Sequence, residues 1–160
     1  MAELKPRDMI TQQEITEEMI DFNKHLSDVS YHRLFSQAEV AFQIAIGINA
    51  AYRQAERSTL YTIESHVKFR REVLEGDRVS ISVRIIDHTD KAAHLLMELR
   101  NGQQQFCASH ECLLLHVKQH DRGPKAQSFA PDQLEILQDF LAHDRQLPAD
   151  DHIYTIDLRR

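Results

Sequence analysis

No apolar run in the sequence approaches the roughly 18 residues that a membrane-spanning helix needs. The opening residues, Met1-Ala2-Glu3-Leu4-Lys5-Pro6, lack the apolar core of a signal peptide. A cytoplasmic, reducing setting is therefore expected. Cysteine is scarce. Cys107 and Cys112 are the two present, five apart in one apolar stretch, a spacing that argues against a disulfide and for buried thiols. Positive charge is also short: 19 Lys and Arg stand against 25 Asp and Glu, a net charge of −6. That balance excludes a general binder of nucleic-acid backbones. Glycine numbers four, and none lies in the most polar loop, residues 21–31, so that loop is not a phosphate cradle. No internal repeat or low-complexity segment occurs.

What is present has the size and make-up of one soluble globular domain: 160 residues, 42% apolar and 28% charged. Ten histidines raise the question of a metal. No His-x-x-x-His lies on a helix beside an acid, and no Cys-x-x-Cys occurs. His110 and His116 share a strand face but stand about 20 Å apart. No metal site and no cofactor is expected.

The strongest periodicity is helical. Tyr31, Leu34, Phe35, Ala38, Ala41, Phe42, Ala45 and Ile46 recur at three-four spacing, which predicts a helix from about residue 29 to 46. Ser27 or Asp28 can cap its start, and Gly47 suits the left-handed position after its end. Glu39 is assigned with the other polar residues to the exposed side. A first strand is expected over 8–17, loop over 18–28 and a short helical turn over 48–56. Four strands follow at 59–69, 77–87, 92–100 and 103–118. In the second of them Val79, Ile81, Val83 and Ile85 alternate with Arg78, Ser80, Ser82 and Arg84, so one sheet face is buried. Asn101-Gly102 predicts a two-residue hairpin. A polar connector over 119–130 leads to a helix from Pro131. The result is α+β: a long helix on a five-stranded antiparallel sheet plus a C-terminal helix. Residues 1–118 form the main domain, and 119–160 a connector, helix and tail packed on it. A sheet edge invites pairing with a second copy, as dimer or tetramer.

The polar loop and this order of elements together resemble the hotdog-fold acyl-CoA thioesterases of the 4-hydroxybenzoyl-CoA thioesterase type. The pattern Asp-x-Asn-x-His, then a polar pair and a Tyr, is matched by Asp21, Asn23, His25, Ser27-Asp28 and Tyr31. Three segments are also similar to the betainyl-CoA thioesterases of carnitine breakdown: Asp21 to Ser27, Thr62-Ile63-Glu64-Ser65-His66 and Leu114-Leu115-His116-Val117. The sequence departs from that pattern at Lys24, where Gly is usual.

The resemblance implies hydrolysis of an acyl-CoA, which needs a carboxylate and a set of donors for the oxyanion. Asp21 supplies the carboxylate, as nucleophile or as base for water. Backbone N–H groups around Asp28 and Val29 supply the donors. Asn23, His25 and Tyr31 are supporting candidates. Glu64 and His66, with the aromatic faces of Phe35 and Tyr61, are candidates for an acyl pocket holding a trimethylammonium group. Arg70-Arg71, and Lys118 with Arg122 and Lys125, are candidates for the CoA phosphates. A hotdog hydratase or dehydratase, or a non-catalytic acyl-CoA-binding module, is the alternative.

Overall fold

The structure is a computed structural model that describes residues 11–148 and 151–158. The first strand is shorter than expected: β1 spans Thr11–Glu14, residues 8–10 lie outside the described residues, and Glu17–Met19 form a 3-10 turn. Helix α1 spans Asp28–Ala45. Ser27 caps it, its Oγ accepting from the Ser30 N–H at 3.2 Å, and Gly47 follows at φ +88°. Helix α2 covers Ala50–Glu56 behind an Asn49 cap.

The strands β2 (Ser58–Phe69), β3 (Arg78–His88), β4 (Ala92–Arg100) and β5 (Phe106–His120) pair antiparallel with β1 in the order β1-β3-β4-β5-β2. Register carries the expected alternation across the sheet. Val83 faces Met97, which faces His110, which faces Val67. That row lies on the inner side, where Leu34, Phe35, Ala38 and Phe42 of α1 pack into one core with Val79, Ile81, Ile85, Leu95 and Leu99. Phe35 and Phe42 are fully buried, and truncating either to Ala removes about 3–5 kcal/mol by the usual transfer and cavity terms. The helix-on-sheet hotdog arrangement is thus present.

Four local expectations are corrected. The connector contains a sixth strand, β6 (Gly123–Ala126), paired with Val117–His120 of β5; Gly123 sits at φ +103° and lets the chain reverse there. The Asn101-Gly102 hairpin is a five-residue loop rather than a two-residue turn. Asn101 Oδ1 accepts from the N–H groups of Gln103 and Gln105, and the positive φ falls on Gln104. Glu39 is buried, not exposed; it stands four residues after Phe35 and so shares the helix face that meets the sheet. The alternation of β2 also breaks at Ile63, where a bulge separates Thr62 from Glu64.

Helix α3 (Pro131–Asp144) puts Leu137, Phe140 and Leu141 into the same core as α1. It also mends a defect in the sheet. Where a bulge breaks the β3–β4 register between Ile85 and Asp87, the Ile85 N–H donates to Asp144 Oδ2 at 2.9 Å. The tail crosses the outer sheet face and docks on Glu111, which is completely buried. The Glu111 carboxylate accepts from the Thr155 and Ile156 N–H groups at 2.8–3.0 Å and pairs with His94 Nε2 at 2.9 Å and His152 Nε2 at 3.3 Å. Among the described residues no helix is long and apolar enough to cross a membrane.

Candidate active site

Residues 20–26 fold back on themselves. Ile20 and Leu26 form an antiparallel bridge. Between them the Asp21 N–H donates to the His25 carbonyl and the Lys24 N–H to the Asp21 carbonyl, both at 3.0 Å. Lys24 closes this turn at φ +68°, in the left-handed region. The departure from Gly therefore leaves the loop shape intact and stores strain in it. Lys24→Gly is expected to raise stability by up to about 1 kcal/mol, the left-handed penalty offset by glycine's greater chain entropy. Thermal melts of the two proteins check this, and a lower Tm for the variant would contradict it.

Asp21 Oδ1 accepts from the Asn23 N–H at 2.8 Å, an Asx turn that fixes the carboxylate's direction. Oδ2 has no hydrogen-bond partner among the described residues. The Asn23 side chain is exposed, so Asn23 holds Asp21 through its backbone. His25 turns the other way: its Nε2 lies 3.2 Å from Glu72 Oε2. The loop is pinned by the Leu26 N–H to the Val73 carbonyl and the Ser27 N–H to the Met19 carbonyl.

At the start of α1 the free donors are fewer than expected. The Val29 N–H is taken by Asp28 Oδ1 at 2.8 Å and the Ser30 N–H by Ser27. The Asp28 N–H has no acceptor among the described residues, and it lies at the positive end of the helix dipole. A cavity of about 350 Å³ opens here, lined by His25, Leu26, Asp28, Tyr31, Phe69, Arg70, Arg71 and Glu72. Asp21 stands outside that lining, one backbone hydrogen bond from His25. Tyr31 is buried and meets Phe69 edge to face at 5.0 Å. Its hydroxyl donates to the Arg71 carbonyl at 3.4 Å. Burial first, then the proximity of Cys107 and Glu72, pushes its pKa up to about 12, so it acts as a donor and not as an anion.

Residues 15–153 match the family described as the Thioesterase-like superfamily. The chain belongs to this superfamily. A betainyl-CoA thioesterase of Pseudomonas aeruginosa is 34% identical over 132 residues, 82% of this chain and 82% of that protein. An L-carnitine dehydrogenase/betainyl-CoA thioesterase of Agrobacterium fabrum is 31% identical over 83% of this chain, which spans 27% of that longer protein. In three dimensions the chain is similar to a Staphylococcus aureus protein solved in complex with CoA, with TM-score 0.82, 24% identity and coverage of 93% and 95% of the two chains. It shares its fold with a mutant 4-hydroxybenzoyl-CoA thioesterase complexed with 4-hydroxybenzoyl-CoA, with TM-score 0.73, 13% identity and coverage of 80% and 96%.

Within this superfamily member the sequence-derived residues fall into two groups. His25, Asp28 and Tyr31 line the cavity at the α1 start together with Arg70 and Arg71, while Asp21 and Asn23 stand in the adjoining 20–26 turn, outside that lining; the peptide N–H groups of both arginines donate to the Cys107 carbonyl. The second group does not converge in one chain. Phe35 points into the core, whereas Tyr61, Glu64 and His66 stand on the other side of β2. The bulge at Ile63 and the pairing of His66 with Glu111 opposite fix that side. There Glu64 Oε1 simply bonds His66 Nε2 at 2.9 Å. Phe69 and Glu72 were missed as cavity residues. They come from the end of β2 and the turn after it, some 40 positions from the loop, and nothing near the loop in sequence points to them.

Proposed function

We propose that the chain hydrolyses a small acyl-CoA thioester to the free acid and CoA, with Asp21 as the reacting carboxylate. The observation that carries this reading is the Asx-turned Asp21 placed beside the start of α1, where the unpaired Asp28 N–H can meet an oxyanion. The cavity under His25 and Tyr31 takes the acyl end, and the exposed Arg70 and Arg71 suit the phosphates of CoA. CoA departs as thiolate, so Tyr31 and His25 position the site and need not donate to the leaving group.

For the acyl group we put betainyl first. Support comes from the Pseudomonas aeruginosa relative and from the cavity chemistry. Beside His25, Arg70 and Arg71 it is lined by two carboxylates, Asp28 and Glu72, and by the aromatic faces of Tyr31 and Phe69, and it is these carboxylates and faces that suit a quaternary ammonium. On this reading the cation is assigned to Glu72 and Asp28 instead of Glu64. A panel of betainyl-, short fatty and aryl-CoA thioesters tests the reading by release of free thiol. Highest kcat/KM is expected on betainyl-CoA, and Glu72→Gln should raise KM for it about tenfold, roughly one cation contact, with little change on a neutral acyl of equal size. No thiol release from any member, or water added to an acyl double bond in place of hydrolysis, would overturn the assignment.

Strand β2 ends the sheet order and leaves Tyr61, Ile63 and Phe69 exposed. We assign this open edge to pairing with a second copy. Light scattering is expected to give at least a dimer, and Ile63→Lys to weaken it.

A further inference from the structure

Midway along α1, well away from the loop, three side chains of different chemistry meet in the helix–sheet interface. Glu39 comes from α1; His110 and Cys112 stand two apart on β5 and so point to the same face. Their exposures are 7%, 5% and 0%. One ligand atom from each, a carboxylate oxygen, an imidazole nitrogen and the sulfur, lie within 4.8 Å of one another. Thr62 Oγ1 donates to Glu39 Oε2 at 3.2 Å. Both ring nitrogens of His110 are buried without a hydrogen-bond partner, although its ring packs against Phe35 at 5.1 Å. A buried imidazole with neither nitrogen satisfied is costly, and a metal ion is a partner that would satisfy one of them.

We propose that Glu39, His110 and Cys112 form a binding site for one divalent transition-metal ion, with zinc the ion its ligands select. Thiolate, imidazole and carboxylate are the three zinc donors, and sulfur with nitrogen disfavours magnesium and calcium. The charges close: the Cys112 thiolate and Glu39 carboxylate balance a 2+ ion and neutral His110 adds none, which a dry interior requires. Binding releases the thiol proton to solvent. Tetrahedral ligands about a zinc ion stand about 3.3–3.8 Å apart by the usual bond lengths, so the trio closes by about 1 Å, within reach of rotation in the Glu39 side chain. Thr62 then holds the carboxylate from outside, as ligand-supporting partners do. The ion would clamp α1 to β5. Glu39 lies about 16 Å along the helix from Asp28, so the site is separate from the thioester chemistry and independent of the substrate assignment.

The test uses the full chain, stripped with EDTA and then titrated with cobalt(II) and with zinc. One equivalent is expected to bind, cobalt giving a thiolate-to-metal charge-transfer band in the near ultraviolet and the visible bands of a four-coordinate ion, the three side chains completed by one water. Zinc should displace it and raise Tm. Cys112→Ala should abolish the charge-transfer band, and Thr62→Val should weaken affinity about 10–100-fold. Far-UV circular dichroism and melting establish that the variants fold. Should Cys112→Ala not fold, the wild-type spectrum decides alone. Failure to bind an equivalent overturns the proposal. So does cobalt bound without a thiolate band, which is adventitious capture by surface histidines.

Discussion

Replacing Asp21 with asparagine is expected to lower kcat for thioester hydrolysis by about 10²–10⁴-fold, the usual worth of a positioned acid–base or nucleophilic carboxylate. KM should move little, because Asp21 lies outside the lining of the acyl cavity. The substitution is isosteric, and the amide oxygen can still accept from the Asn23 N–H as Oδ1 does, so the loop and the melting temperature should be unchanged. Thiol release on the best substrate, with melts run on the same preparations, separates chemistry from folding. Full activity in the variant removes Asp21 from the mechanism. A large fall in Tm instead assigns the residue to the turn.

Replacing Glu111 should cost as much stability as truncating a fully buried core aromatic. Its carboxylate is wholly buried and serves two backbone N–H groups and two histidine rings. Glu111→Ala leaves those donors facing an apolar gap, at a cost of about 3–5 kcal/mol. In a chain of this size that lowers Tm by about 10 °C. Burial alone pushes the carboxyl pKa up, but the donors from Ile156, Thr155, His152 and His94 outweigh it and hold it below the usual carboxylate range. The sign for pH follows. The unfolded chain binds the proton more readily, so the stabilisation is complete above a pH of about 4.3 and is lost as pH falls through the lower folded value. Glu111→Gln, tested by urea melts across that window, should lose stability at neutral pH and show a flatter acid limb. A variant as stable as the parent at pH 7 would mean that the charge contributes nothing.

The body of the fold was legible because its signals are local and redundant. Val79, Ile81, Val83 and Ile85 repeat every second residue, the Tyr31–Phe42 stripe repeats every three or four, and Ser27 and Gly47 mark the ends of α1. The reacting loop was legible for a different reason: its residue types are crowded and polar just before a helix. What failed was long-range. Nothing near Glu39 in sequence reveals that β5 brings His110 and Cys112 to it. A polar residue on a helix reads as exposed until the facing strand is known. Likewise one extra residue at Ile63 turns the remainder of β2 over, which separates Glu64 and His66 from Phe35. The docking of residues 155 and 156 on Glu111 links positions more than 40 apart and leaves no trace in either segment.

The bond from the Ile85 N–H to Asp144 Oδ2 spans 59 positions and couples events in time. The β3–β4 hairpin can form early from near neighbours, but the amide at its bulge has no acceptor until α3 arrives. Exchange of that one amide with deuterated solvent therefore times the docking of the C-terminal helix separately from closure of the sheet. In Asp144→Ala, which removes the acceptor, the Ile85 amide should exchange faster than those of Arg84 and Ile81. A lost carboxylate in the helix would then be read as a single loosened stitch in the strand.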